Sequence, residues 1–180
     1  DYDGDGEIDV AVYRSGIWYV KDGPTISYGG MPQDVPIPGD YNGDGKTDIA
    51  IYRDGMWYIK DVVALPYGGL PGDLPIPADY DGNGTTDIAI FRAGMWYVKD
   101  VFDAVYGMSG DVPVPADYDG DGGTEVAVYR NGMWYIQAVL DLAFGGVPGD
   151  IPVPADYNGD HDYDIAIFRA GTWYINGLPT

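Results

Sequence analysis

The chain has 180 residues, enough for one domain with a hydrophobic core. Its 9 basic residues against 29 acidic ones give a formal charge of −20, which excludes nucleic acid and anionic membrane surfaces as partners, since both are polyanions. Hydrophobic residues make up 46% of the chain, so it folds; no cysteine is present, which excludes disulfides, thiolate metal sites and a cysteine nucleophile, and the apolar runs are far shorter than the ~20 residues that a spanning helix needs.

A fixed period organises the chain. Trp18, Trp57, Trp96, Trp134 and Trp173 are spaced 39, 39, 38 and 39 residues apart, and the Asp-Tyr pairs that begin at Asp1, Asp40, Asp79, Asp117 and Asp156 follow the same spacing. We divide a single repeat domain, residues 1–180, into units at about 1–33, 34–72, 73–110, 111–149 and 150–180. The chain begins at Asp1 without a methionine, which reads as a processed or truncated product.

Taken in chain order, the first unit offers three strands: b at residues 8–14, c at 17–21 and d at 25–28. The second adds strand a ahead of Asp40 and repeats the other three. The third defines the full set, with a at 74–78, b at 87–92, c at 95–99 and d at 102–106, and the fourth repeats it. The fifth has a at 151–155, b at 164–169 and c at 172–176, and residues 176–180 are too short and too rich in Pro and Gly to add strand d. Strand a therefore occurs four times, b and c five times, and d four times. Between b and c lie only Ser15-Gly16, Asp54-Gly55, Ala93-Gly94, Asn131-Gly132 and Ala170-Gly171, the length and composition of a tight antiparallel hairpin with φ > 0. Strand b is apolar on both faces, as in a sheet sandwiched between two similar sheets: Ile88 and Ile90 point one way, Ala89 and Phe91 the other. The predicted fold is all-β, a β-propeller of about five four-stranded antiparallel blades with incomplete terminal blades; the alternative is a β-solenoid-like repeat array. The unpaired edges of the first and last units call for a strand from a neighbouring chain or from missing flanking sequence.

Between strands a and b runs the pattern D-x-[DN]-G-[DN]-G-x-x-[DE]. Its oxygen-bearing positions are Asp1, Asp3, Asp5 and Asp9; Asp40, Asn42, Asp44 and Asp48; Asp79, Asp81, Asn83 and Asp87; Asp117, Asp119, Asp121 and Glu125; and Asp156, Asn158, Asp160 and Asp164. A hard cation such as Ca²⁺ takes six to eight oxygens, and side chains at loop positions 1, 3, 5 and 9 converge when the residue at position 6 turns the backbone sharply. Seventeen of the 29 acids fall at these positions, so the charge excess reads as ligands for up to five Ca²⁺ ions, one per unit. Helix-flanked calcium loops are excluded because position 12 is Val12, Ile51, Ile90, Val128 or Ile167, where such loops carry an acid. His161 replaces the position-6 Gly of loop five, where positive φ is expected, so loop five is the weakest site unless Asp162 compensates by charge. Loop three, with Asn83 for Asp, ranks next.

In this strand-to-strand form the DYDGDG-type loop, the IAIYR strand and the WYI strand resemble FG-GAP and VCBS repeats of integrin α-subunit propellers and bacterial surface proteins, with Phe144-Gly145-Gly146 echoing the Phe-Gly element. The resemblance covers all five units, although the Gly-Ala-Pro element is missing. It implies a calcium-bearing propeller that works at the cell surface or outside the cell in adhesion or ligand binding.

Two further sets recur. Trp18, Trp57, Trp96, Trp134 and Trp173 precede a Tyr on strand c and read either as inter-blade packing or as lectin-like platforms for a sugar. Arg14, Arg53, Arg92, Arg130 and Arg169 end strand b and either contact ligand, pair with a recurring Asp, or stack on Trp. Asp34, Asp73, Asp111 and Asp150 read as turn acids. No unrepeated carboxylate pair or nucleophile constellation stands out, so an enzyme is not expected. The expected function is a binding or adhesion module with a glycan or protein ligand. The alternative is a structural subunit of a surface layer or fibre, assembled through unpaired terminal strands.

Overall fold

The structure, a computed structural model, describes residues 1–5 and 9–177. It is all-β, a five-bladed β-propeller in which five small antiparallel sheets form the blades, and no helix occurs among the described residues. Blade one consists of β1 (Ala11–Arg14), β2 (Ile17–Val20) and β3 (Thr25–Ser27), and blade two of β4 (Val35–Pro36), β5 (Ala50–Arg53), β6 (Met56–Ile59) and β7 (Val63–Pro66). Blade three has β8 (Leu74–Pro75), β9 (Ala89–Arg92), β10 (Met95–Val98) and β11 (Phe102–Val105), and blade four β12 (Val112–Pro113), β13 (Ala127–Arg130), β14 (Met133–Ile136) and β15 (Leu140–Ala143). Blade five has β16 (Ile151–Pro152), β17 (Ala166–Arg169) and β18 (Thr172–Ile175). The chain divides into two compact units, Asp1–Ala78 with Gly84–Ile90, and Asp79–Asn83 with Phe91–Thr180.

Strand order in every sheet follows the chain and the strands pair antiparallel, with short hairpins joining b to c and the longer acidic loop joining a to b. The hairpin dipeptides have the expected positive φ, 48° and 86° at Asp54-Gly55 and 49° and 87° at Asn131-Gly132, which is the twist-matched turn for a two-residue loop. Among the described residues the first and last sheets have three strands each, and the inventory of a, b, c and d strands is the expected one.

Strand a is shorter than expected. Only two residues pair as a strand, as in Val112↔Tyr129 and Pro113↔Val128, and the chain then makes one isolated bridge four residues after the first, Ala116↔Glu125. The cause is the second proline of each segment, such as Pro115, which has no N–H to donate. The expected start of strand b in the first unit, Ile8, lies outside the described residues, as do Leu178, Pro179 and Thr180.

Both faces of strand b are buried in blades two to four, where Ala50, Ile51 and Tyr52, Ala89, Ile90 and Phe91, and Ala127, Val128 and Tyr129 lie in the core, whereas in blade one Val12 is exposed. Within the first unit, Trp18 of blade one packs with Ile49 and Ile51 of blade two, and within the second, Trp134 of blade four packs with Ile165 and Ile167 of blade five. Tryptophans therefore join one blade to the next.

Candidate metal centres

In loops two to five the ninth residue sits in the bridge to strand a, with Asp48 opposite Gly39, Asp87 opposite Ala78, Glu125 opposite Ala116 and Asp164 opposite Ala155. That carboxylate accepts the backbone N–H of the loop's second residue, from Tyr2 to Asp9 (2.6 Å), Tyr41 to Asp48 (3.0 Å), Tyr118 to Glu125 (2.6 Å) and Tyr157 to Asp164 (3.0 Å). The first Asp turns its carboxylate into the loop. In loop four Asp117 accepts N–H groups from Gly120 (2.7 Å) and Gly122 (2.9 Å), and in loop two Asp40 accepts from Gly43 (2.7 Å) and Gly45 (2.8 Å). Gly45 and Gly122 stand at φ 81° and 94°, the sharp turn that the sixth position requires.

Loop four brings all four predicted residues together, with carboxylate oxygens of Asp117, Asp119, Asp121 and Glu125 within 4.8 Å of one another. Loop one does the same for Asp1, Asp3 and Asp9, and the N–H of Asp5 donates to Asp3 (3.1 Å). In loops two and five an Asn holds the third position. Its amide donates to the ninth-position acid, Asn42 to Asp48 at 3.0 and 3.2 Å and Asn158 to Asp164 at 3.3 Å. Asp44 and Asp160 accept the N–H of Lys46 (2.9 Å) and Asp162 (3.1 Å) in the same loops. Loop three spans the division between the two compact units. Within Asp79–Asn83, the N–H of Asn83 lies 3.1 Å from Asp79 and 3.2 Å from Asp81, and in the other unit Asp87 bridges Ala78.

The charge is felt unevenly. Burial first, and then the neighbouring Asp119, Asp117 and Asp121, push the Glu125 carboxyl above its ordinary range; burial, with Asp44 and Asp40, does the same to Asp48. Asp156 is held below its ordinary range by N–H groups, Gly159 foremost, then His161, Asn158 and Asp160. A set of carboxylates held by loop amides and crowded by one another suits a hard divalent cation, which takes oxygen ligands and offsets their repulsion.

His161 has φ 79°, the left-handed conformation expected there. Asp162, considered as a compensating charge for loop five, instead sets a carboxylate oxygen against Gly120 of loop four, where an added Cβ would clash with it. Successive loops are tied by backbone bonds from the eighth residue of one to the first Asp carbonyl of the loop before: Thr47 to Asp1 (2.7 Å), Thr86 to Asp40 (2.6 Å), Thr124 to Asp79 (2.8 Å) and Tyr163 to Asp117 (2.8 Å).

The ligand-contact candidates fare differently. Trp57, Trp96 and Trp134 are 0% exposed and Trp18 is 2% exposed, so these four are core residues with no ring face free to stack on a sugar; only Trp173 is open, at 51%. Three of the arginines are taken up by buried acids. Arg53 Nε donates to Asp34 (2.5 Å), Arg130 Nε and Nη2 grip both oxygens of Asp111 (2.5 and 2.6 Å), and Arg169 pairs with Asp150. The aromatic partner is Tyr and not Trp: the guanidinium carbons of Arg53, Arg92, Arg130 and Arg169 lie 4.9–5.2 Å from the ring centres of Tyr58, Tyr97, Tyr135 and Tyr174. Among the described residues Arg14 makes neither contact. The sequence reads Asp34, Asp111 and Asp150 as turn acids, which they are, since Asp34 accepts the N–H groups of Gly30 and Met31; it offers a recurring Asp as partner for the arginines, and the structure identifies that partner as these same turn acids. The signal for that identity was the recurrence of an Asp nineteen residues before Arg53, Arg92, Arg130 and Arg169.

No protein-family model and no curated protein matches the chain.

Proposed function

We propose that this β-propeller binds Ca²⁺ in its five a–b loops and serves outside the cell as a recognition module for a glycan or protein ligand, in the manner of FG-GAP and VCBS repeats. The observation that carries the metal reading is the convergence of Asp117, Asp119, Asp121 and Glu125 within 4.8 Å, held in place by backbone amides. Calcium would neutralise these acids and lock the turn that connects strands a and b; it has no catalytic part in this reading. Recognition is supported by open clefts at the hairpin end of the blades. One of ≈ 540 Å³ is lined by Met108, Asp111, Tyr129, Arg130, Val147 and Pro148, and an equivalent of ≈ 320 Å³ by Val35, Tyr52, Asp54, Leu70, Pro71 and Asp73. Repetition of one cleft suits multivalent contact. A calorimetric calcium titration, with melting in calcium and in chelator, tests the metal reading; identical melting temperatures with no binding heat would end it. An array of glycans and peptides, probed with the protein and a Val147→Asp variant, tests the cleft.

A further inference from the structure

The seventh residue of an acidic loop can reach the loop before it. In the first compact unit, Lys46 of loop two lays its side chain over Gly4 of loop one, where an added Cβ would stand 2.8 Å from Lys46 Cε. Its ammonium donates to the Asp3 carbonyl at 2.6 Å. In the second unit Asp162 of loop five reaches Gly120 of loop four in the same way. Loops three and four are tied by the same backbone bond as loops one and two, Thr124 to the Asp79 carbonyl (2.8 Å) as Thr47 to that of Asp1 (2.7 Å), so the gaps within these two pairs are built alike.

The seventh residue of loop four is Gly123, which has no side chain to lay across loop three. A cleft of ≈ 320 Å³ stands there instead, lined by Tyr80 and Asp81 of loop three and by Asp121, Gly123, Thr124 and Glu125 of loop four. The counterparts of its three acids in loops one and two are Asp3, Asp44 and Asp48, and between those loops the chain places the Lys46 ammonium. Carboxylates gathered around a gap repel one another, and an ammonium offsets that repulsion while donating up to three hydrogen bonds. Acids alone would not select an ammonium over another cation. The selection is read from Lys46, which shows that this gap geometry accepts the charged head and the aliphatic stem together, since Cγ as well as Cε lies over Gly4. One gap thus holds its cation in cis, and the other has the same acid pattern with room for one.

We propose that the cleft between loops three and four binds a primary alkylammonium group, the chemistry shared by a lysine side chain of a partner polypeptide and a small aliphatic amine. The stem lies over Gly82 as Lys46 lies over Gly4, and the ammonium bonds to the Asp81 carbonyl. That carbonyl is not one of the calcium-binding positions, so the inference does not require calcium in the loops and is compatible with it.

The test is a magnetic resonance titration of the full chain, in calcium and in chelator, that follows the amides of Gly82 and Gly123. The probes are Nα-acetyl-lysine N-methylamide, n-butylamine and the norleucine analogue of the first, which keeps the stem and lacks the ammonium. Saturable shifts are expected with both amines and none with the norleucine compound. Gly123→Lys, which supplies a tethered ammonium, should weaken binding by about tenfold or more, and Gly123→Ala, which adds a Cβ alone, should stay within about twofold of the parent. Both amines sustain the proposal, with tighter binding of the lysine derivative pointing to a partner's lysine and tighter binding of butylamine to a small amine. No saturable shift at millimolar amine, an equal response to the norleucine compound, or a Gly123→Lys variant that binds as the parent does overturns it. So does binding confined to chelator, because the cleft would then be part of the metal site.

Discussion

Blades four and five carry nearly the same hairpin, AVYRNGMWYI and AIFRAGTWYI, yet Trp134 is 0% exposed and Trp173 51%. Both tryptophans touch the aromatic residue opposite them on strand b, Tyr129 at 5.3 Å and Phe168 at 5.1 Å. What differs is cover: β15 and the face of blade five close over Trp134, and among the described residues of its own unit Trp173 has no equivalent of β15. The acidic loops differ in parallel. Loop four gathers four carboxylates around a position-6 glycine, and loop five has Asn158 and His161 in the corresponding places. The repeat thus specifies the local hairpin equally in both blades, while burial and charge depend on what stands beside it.

The largest contrast expected is in stability. Trp134→Ala should destabilise by ~3–5 kcal/mol, the range for emptying a large buried aromatic site, and Trp173→Ala by about 1–2 kcal/mol. For a chain of this length ~1 kcal/mol corresponds to roughly 2–4 °C in melting temperature, so scanning calorimetry separates the two variants. Equal shifts would mean that Trp173 is covered in solution.

Calcium comes next. A cation that binds only the folded state adds about 1–3 kcal/mol per site at 10 to 100 times its Kd. Asp119→Asn in loop four should remove more of the calcium-dependent rise in melting temperature than Asp160→Asn in loop five, because it disables the stronger site. If the two variants lose the same increment, the ranking of the loops fails.

A smaller effect is expected at His161. With φ 79° this residue carries a Cβ where glycine is preferred, and His161→Gly should stabilise the calcium-bound loop by up to about 1 kcal/mol, tightening its calcium affinity several-fold. A calcium titration of the variant that reproduces the parent isotherm would show that the ligand set, and not the backbone, weakens loop five.

The smallest effects concern pH, and here the two ends of a blade oppose each other. Arg130 and Arg169 hold Asp111 and Asp150 below the ordinary carboxyl range, so the stability from these clips is fully present above the unfolded value of about 4 and is lost as pH falls through the depressed folded values. Glu125 is raised by burial and by its acidic neighbours, so without a cation its contribution has the other sign, and stability falls as pH rises from the unfolded value of about 4.3 through the raised folded one. Melting profiles in chelator and in calcium should therefore diverge above about pH 5, and profiles that remain parallel would show that no cation neutralises Glu125.

Much of the architecture was legible because its determinants are short-range. The Trp and Asp-Tyr period, the dipeptide turns at Asp54-Gly55 and Asn131-Gly132, and the apolar b strands each specify φ, register or face within a few residues, and a strand inventory follows from repeating them. The acidic loop was legible for the same reason: Asp117 and Gly122 are five residues apart, so their hydrogen bond is a property of the loop. The proline effect on strand a was available in Pro115 and its equivalents, where the missing N–H interrupts the ladder.

Three outcomes rested on distance across the fold. Four tryptophans became core and one stayed open because the next blade and the d strand, rather than the WY dipeptide, set their exposure. The arginines met Asp34, Asp111 and Asp150 because the turn before strand a folds back onto the end of strand b, nineteen residues later. Asp162 came to rest on loop four instead of its own loop because backbone bonds such as Tyr163 to Asp117 set adjacent loops side by side. Chain geometry within one repeat is governed by local sterics, and so the residues declare it; contact between repeats depends on how sheets stack, and the same residues in two repeats acquire different neighbours.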